Sequence, residues 1–318
     1  MGTAALTRAI CPVVSTFPSI TWSAQNGLGY VAYGAFDEGT EKIWAPDLGQ
    51  DQYMHIIDTA QYSHAVISTP EGFGTRFPIL EYGSDHIAVI DQAGKVCFYD
   101  PVTQTFLGSI ATPNVAAGPF YCLAGDESRK QVYAPALGGP TPVGPTVITT
   151  LDADNVAFVR SDSFAIHGRF LTFCDNADRL MITSFEPTGP SWWMYNPTTH
   201  LITNGLISAG APGECFYIRE LGVVAILLGG LIYFVDPITE TIVGSPMTGG
   251  ASHIYGAVYD LCNPSVLLSV GAVVQRFDPN AGYALIGQDP ILANSLAYDK
   301  YTGHAYGILG NSNEVDTF

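Results

Sequence analysis

The chain has 318 residues, with 12 basic side chains against 29 acidic ones and a formal net charge of −17. That balance repels phosphate backbones and anionic membrane surfaces, so neither nucleic acid nor membrane is expected as a partner. Apolar residues make up 47% and charged ones only 13%, against about 25% charged in an average soluble domain. The core is ample, and the surface must be poor in charge.

The chain opens with MGTAALTRAICPVV, whose Arg8 interrupts the apolar part. It makes a poor secretory signal, and the sixth position lacks the Ser or Thr of a myristoylation motif. The expected location is the cytoplasm or a virus particle assembled there. Residues 3–11 read as a strand with no partner nearby.

The rest reads as short strands in groups of four. The first group spans 17–60, with ITWSA (20–24) and GYVAYG as its first two strands and EKIWAPDLGQDQYMHIID (41–58) behind them. QYSHAVISTPEGFGTR (61–76) reads as a 16-residue connecting loop. The second group, 77–113, holds FPILEY, HIAVID and KVCFYDPVTQTFLGSI (95–110). The third, 119–162, holds FYCLAG, QVYAPA, a Gly/Pro-rich tip at 138–145 and TVITTLDADNVAFVRS (146–161). The fourth, 164–208, ends in SWWMYNPTTHLITNGL (191–206).

The fifth, 214–249, contains the uncharged run Leu221 to Val235. A membrane helix needs about 20 apolar residues. This run is shorter, and Gly229-Gly230 in its middle is a hairpin signal. The sixth group, 253–289, contains VVQRFDPNAGYALIGQ (273–288). The seventh, 291–318, ends on NEVDTF and is one strand short.

Four copies align on a turn of Asp or Asn followed by Pro, at Asp100, Asn196, Asp236 and Asp278, and Asp152 marks a degenerate fifth. Proline fixes φ at the second turn position, and the Asp or Asn side chain accepts from the backbone ahead of it. A strand-built period of about 40–50 residues signals a propeller of four-stranded blades. Seven blades follow, closed by residues 3–11 pairing beside the C-terminal strand. The pattern resembles the seven-bladed propellers of the YVTN/NHL/PQQ-like group. The Trp-Asp signature of WD-repeat proteins is absent and Gly-His occurs once, at Gly303-His304, while Gly-Gly doublets occur at only three places (138–139, 229–230 and 249–250), too few for kelch repeats.

The six cysteines (Cys11, Cys97, Cys122, Cys174, Cys215, Cys262) form no CxxC pair, and most sit inside apolar runs. Several are expected to be small core hydrophobes, without metal-ligand spacing, and the even count leaves disulfides open. Propellers resembling gluconolactonases hold an axial metal with inward carboxylates. Here Glu81, Asp126, Asp175, Glu220, Asp260 and Asp299 lie near first strands, mostly just before a turn, and read as turn caps. Glu81 and Glu214 are left as candidates. His64, His167 and His253 precede first strands and could converge at a channel mouth, or face water. A virginiamycin-lyase-like set cannot be assembled, and no G-x-G-x-x-G or G-x-S-x-G motif occurs.

No catalytic residue, metal or cofactor is therefore assigned. The expected function is a non-enzymatic interaction or structural subunit of a larger assembly, such as a virion tail or capsid accessory component. The alternative is an axial-site hydrolase or lyase for a small molecule. The expected contact residues are His64, Phe73 and Arg76 on the long loop, Pro140 and Pro142 on the tip, and the pair Trp192-Trp193. The Asp-Pro turn face should be the quieter one.

Overall fold

A computed structural model describes residues 20–21, 34–46, 53–61, 63–68, 80–82, 86–91, 94–112, 123–137, 145–166, 168–184, 192–205, 212–244, 247–248, 253–291, 293–299, 303–309 and 314–317. Their strands pair antiparallel into seven sheets. Six sheets are each one continuous stretch of chain, and the seventh draws on both ends. Each sheet has an inner, second, third and outer strand. The first is Ala35–Asp37, Lys42–Pro46, Tyr53–Asp58 and Ser63–Ser68. The fifth is Pro212–Ile218, Val223–Leu228, Leu231–Asp236 and Thr241–Ile242, with Met247–Thr248 added beside its third strand.

The inner strands contact one another in a closed ring, from Ala35–Asp37 round to Ala293–Asp299 and back. Each gap between neighbouring sheets holds its own apolar cluster. Phe98 meets Val132 between the second and third sheets, and Trp44 meets Tyr99 between the first and second. Ile43 and Phe36 meet Tyr306 and Ile308 between the last and the first. A sheet covered on both faces buries every side chain of its middle strands, not alternate ones. Val223–Leu228 and Ser265–Val270 are buried at all positions. This explains the uncharged run at 221–235: two middle strands joined at Gly229 and Gly230, with φ of 57° and 81°. Such positive φ at both central residues is what a tight hairpin turn needs.

Hydroxyls staple neighbouring sheets near the axis. Thr183 donates to the Gly213 carbonyl at 2.6 Å, Thr146 to that of Gly168 at 3.2 Å, and Ser295 to that of Gly34 at 2.9 Å. Ser269 makes the same bond to Ala293. The Asp-Pro turns work as the sequence implied. Asp100 accepts from the Val102 and Thr103 amides at 2.8 and 3.1 Å, and Asn196 from those of Thr198 and Thr199 at 2.9 Å.

Three sequence expectations need correction. Ile20–Thr21 is not an inner strand of the first sheet. It pairs outside Glu314–Thr317, Ile20 with Val315 and Thr21 with Glu314, and completes the last sheet. The first sheet therefore spans Ala35–Ser68, not 17–60. The apolar pattern of ITWSA fits an inner or an outer strand equally well. Several inner strands end on an Asp that caps the turn behind them, as Asp126 and Asp260 do, and Asp37 does the same here, accepting from Gly39 at 3.1 Å. Residues 3–11 lie outside the described residues.

The segment 61–76 is not all loop, since Ser63–Ser68 is the outer strand of the first sheet. The cysteines are not all core hydrophobes. Cys97, Cys174 and Cys215 are buried thiols, but Cys262, in the turn after the inner strand Ile254–Asp260, is disulfide-bonded.

Candidate functional site

Turns leaving the inner strands emerge on the same face as the Asp-Pro turns, close to the axis. Most of the acids there serve their own turns. Asp126 accepts from the Arg129 amide at 3.1 Å, and Asp260 from those of Cys262 and Asn263 at 2.9 Å. Asp175, at the end of Gly168–Cys174, is different. Its carboxylate faces the next sheet, 2.7 Å from Nε of Arg219.

Around it lies an open pocket of about 580 Å³ lined by Phe173, Tyr217, Glu127, Asp175, Asp178 and Arg219. Phe173 stacks on Tyr133 with ring centres 5.9 Å apart, which fixes the apolar wall. The Tyr217 hydroxyl accepts from the Asn176 amide at 3.3 Å, and burial pushes it up to about 12. Arg129 spans two turns, donating to Asp126 at 2.6 Å, to Asp178 at 2.6 Å and to Thr198 at 2.9 Å. That contact holds Asp178 below the usual carboxylate range. Asp175 moves the other way. Burial raises it, Arg219 pulls against this, and Glu127 and Asp126 add to the rise.

At the opposite end of the inner strands, His253 Nδ1 lies 2.8 Å from Glu214 Oε1. The second oxygen of Glu214 accepts from the Ile254 amide at 3.4 Å. This carboxylate–imidazole contact ties two neighbouring sheets together. His64 does not join it. It lies on the outer strand of the first sheet, stacked on the buried His55 with ring centres 5.1 Å apart. The three histidines therefore do not converge, and His167 lies outside the described residues. Among the described residues, no group of three His, Cys, Asp or Glu side chains could hold a metal ion, and no helix is long and apolar enough to cross a membrane.

Of the contact residues expected from sequence, Phe73, Arg76, Pro140 and Pro142 lie outside the described residues. Trp192 and Trp193 are both buried, which removes them from any contact surface. Alternation along the third strand sends Trp192 into the gap with the fifth sheet and Trp193 into the gap with the third. Both gaps are filled, so neither ring reaches water.

The surface that is exposed and apolar was not anticipated. Val102, Phe106, Leu107, Phe158, Val159, Leu201, Ile238, Ile242, Leu285 and Ile286 are all exposed. Two sit in Asp-Pro turns, and the others within the first three residues of the outer strand that follows such a turn or, for Phe158 and Val159, the proline-free turn at Asp152. They mark five consecutive sheets, the second to the sixth, and gather at the end read from sequence as the quieter one. The sequence signal was the apolar pair just behind each turn, as in Thr105-Phe106-Leu107 and Ala284-Leu285-Ile286.

These features define a β-propeller of four-stranded antiparallel sheets. Similar solved structures include a chain of a mitotic checkpoint complex, 10% identical with a TM-score of 0.71, covering 97% of this chain and 94% of that one. The WD40 repeats of RRP9 match at 9% identity and 0.71, covering 92% and 95%. A chain of Kuenenia stuttgartiensis hydrazine synthase matches at 10% identity and 0.70, covering 93% and 97%. At such identities the likeness concerns the fold. The sequence matches no protein-family model and no curated protein.

Proposed function

We propose that this chain is a seven-bladed propeller that works as a non-enzymatic interaction subunit, held in a larger assembly by its outer edge. One observation carries the reading: ten large apolar side chains are exposed at the same end of five consecutive sheets, two in turns and eight at the start of outer strands. Singly scattered exposed apolar residues need no explanation, but their recurrence at one end of five neighbouring sheets supports a contact surface there. The low share of charged residues, 13%, agrees with a surface that is partly covered. The mitotic checkpoint complex gives the same fold inside a protein assembly.

A virion tail or capsid accessory position is one setting that would cover such an edge, and co-sedimentation with purified particles tests it. Phe73, Arg76, Pro140 and Pro142 are proposed as a second contact area, tested by shortening 69–74. For the edge itself, the decisive variant is Phe158→Ser, Leu201→Ser and Ile286→Ser combined. All three positions face water, so the melting temperature should stay within about 3 °C of the parent. The parent purified from its source should retain its partners, and the triple variant should lose them. Equal retention would overturn the reading.

A further inference from the structure

The third and fourth sheets are joined at their outer edge by a closed ring of polar side chains. Arg160 and Asp162 lie two apart on the outer strand Ala157–Phe164 of the third sheet, so they face the same way. Tyr195 lies on the third strand Trp192–Asn196 of the fourth sheet, and His200 in the turn behind it. Arg160 Nη1 is 2.6 Å from His200 Nε2, and His200 Nδ1 is 3.1 Å from the Tyr195 hydroxyl. That hydroxyl donates to Asp162 at 2.7 Å, and Arg160 donates to the other oxygen of the same carboxylate.

The protons in this ring have one arrangement. A guanidinium only donates, so Nε2 of His200 must accept, and the imidazole is neutral with its proton on Nδ1. Nδ1–H donates to Tyr195, whose own hydrogen goes to Asp162. A protonated imidazole has no acceptor to offer, and it sets a second positive charge against Arg160 at contact distance. The groups that face the imidazole are Arg160, which repels an imidazolium, Asp162 at 3.6 Å, which attracts it, and Tyr195. Protonated His200 can keep Asp162 but not Arg160.

The same place before an outer strand is held by Gln104 in the second sheet and Glu240 in the fifth, with φ of 56° at each and 59° at His200. Glu240 also reaches back to an arginine of the preceding sheet, accepting from Arg179 at 2.8 Å. Of these three side-chain types, only histidine ordinarily changes charge near neutral pH. We propose that His200 is a pH-operated latch on the outer edge: neutral, it holds the third sheet to the fourth through Arg160, and protonated, it lets Arg160 go. Arg160 follows the exposed Phe158 and Val159, and His200 precedes the exposed Leu201. The latch therefore sits inside the apolar edge, and opening it moves these side chains relative to one another. Its bearing on a partner rests on the reading of that edge as a contact surface, but its test needs no partner, so the two fail separately.

The test is nuclear magnetic resonance of the full chain, with nitrogen-15 in the histidine rings and carbon-13 in the valine methyls, titrated from about pH 8 to about pH 5 across the range where imidazoles take up a proton. His200 is assigned through His200→Gln, and Val159 through Val159→Ile. A free neutral imidazole carries its proton mostly on Nε2. In the parent at the upper end, Nδ1 should be favoured by about tenfold, a ratio that one hydrogen bond from a charged donor supports. The Val159 methyls, on the far side of the join, should shift in step with protonation of the His200 ring. Arg160→Met should cut the Nδ1 preference by about tenfold and abolish the Val159 shift. His200→Gln should also abolish that shift, because an amide oxygen accepts from Arg160 at every pH. Glutamine already occupies the matching place at Gln104, so this variant keeps the turn.

A parent ring protonated on Nε2 at the upper end would overturn the proposal, as would Val159 methyls that stay in place while His200 takes up its proton. An unchanged Nδ1 preference in Arg160→Met would leave Tyr195 and Asp162 as its cause and remove the latch. A Val159 shift of the parent's size in His200→Gln would trace the movement to another group and do the same.

Discussion

Acidification should weaken the first sheet through a single imidazole. His55 is fully buried on the third strand, and its Nδ1 lies 2.8 Å from Nε2 of His64 on the outer strand. One proton serves the contact, so a second would place like charge on stacked rings. Burial, then the neighbouring His55, lowers His64 from 6.5 to about 4. Between those values the unfolded chain holds a proton that the folded one refuses. Stability is therefore complete above about 6.5 and falls as the pH drops toward 4.

A drop of that size corresponds to about 3.4 kcal/mol if the site were sealed. His64 is half-exposed, so solvent screening reduces this to about 1–2 kcal/mol. Urea denaturation at pH 7.5 and pH 4.5 would measure it, with His64→Gln as the comparison. Burial also lowers His304, but parent and variant share that loss. The parent should lose about 1–2 kcal/mol more than His64→Gln over this interval. Equal losses would refute the account of the pair.

Three further outcomes are expected. Gly256→Ala places a Cβ 2.7 Å from the backbone nitrogen of Leu296, where nothing can yield, so it should cost about 2 kcal/mol and lower Tm by roughly 5 °C. An unchanged melting curve would mean the sixth and seventh sheets are looser than described. Gln104 closes its Asp-Pro turn at φ 56°, and Gln104→Gly should raise stability by about 0.5 kcal/mol, the relief of left-handed strain less the added chain entropy. A lower Tm would count against that turn geometry. Non-reducing peptide mapping should find Cys262 in a disulfide-linked peptide. Alkylation of Cys262 without reductant would exclude the bond.

Much of the fold was legible because its turns carry specific chemistry. Asp100, Asn196, Asp236 and Asp278 announce the end of a third strand, and the Gly229-Gly230 doublet fixes a hairpin inside an otherwise ambiguous apolar run. The first sheet was misplaced because strand periodicity records which faces are covered, not how far a strand lies from the axis. Asp37 held the missing information. The site was less legible. Asp175 looks in sequence like every other acid behind an inner strand, and only the approach of Arg219 from the next sheet distinguishes it. Trp192 and Trp193 illustrate the converse, since aromatic residues that suggest a contact surface become core when sheets stand on both sides.

The join between the last sheet and the first is fastened twice, by unlike means. One fastening is the clasp of Ile20 and Thr21 on Val315 and Glu314. The other is the packed gap where Phe36 and Ile43 meet Tyr306 and Ile308, with Ser295 bonded to Gly34. Both link residues at nearly opposite ends of the sequence, so both wait on the slowest loop closure in the chain. Long closures add little to the free-energy cost but much to the time taken. The six continuous sheets can therefore stack as an open arc before the circle shuts. In that interval a short clasp is exchangeable, and the segment around Ile20 from one molecule can complete the last sheet of another. Concentration during folding, rather than the stability of the finished ring, then decides whether single rings or linked pairs form.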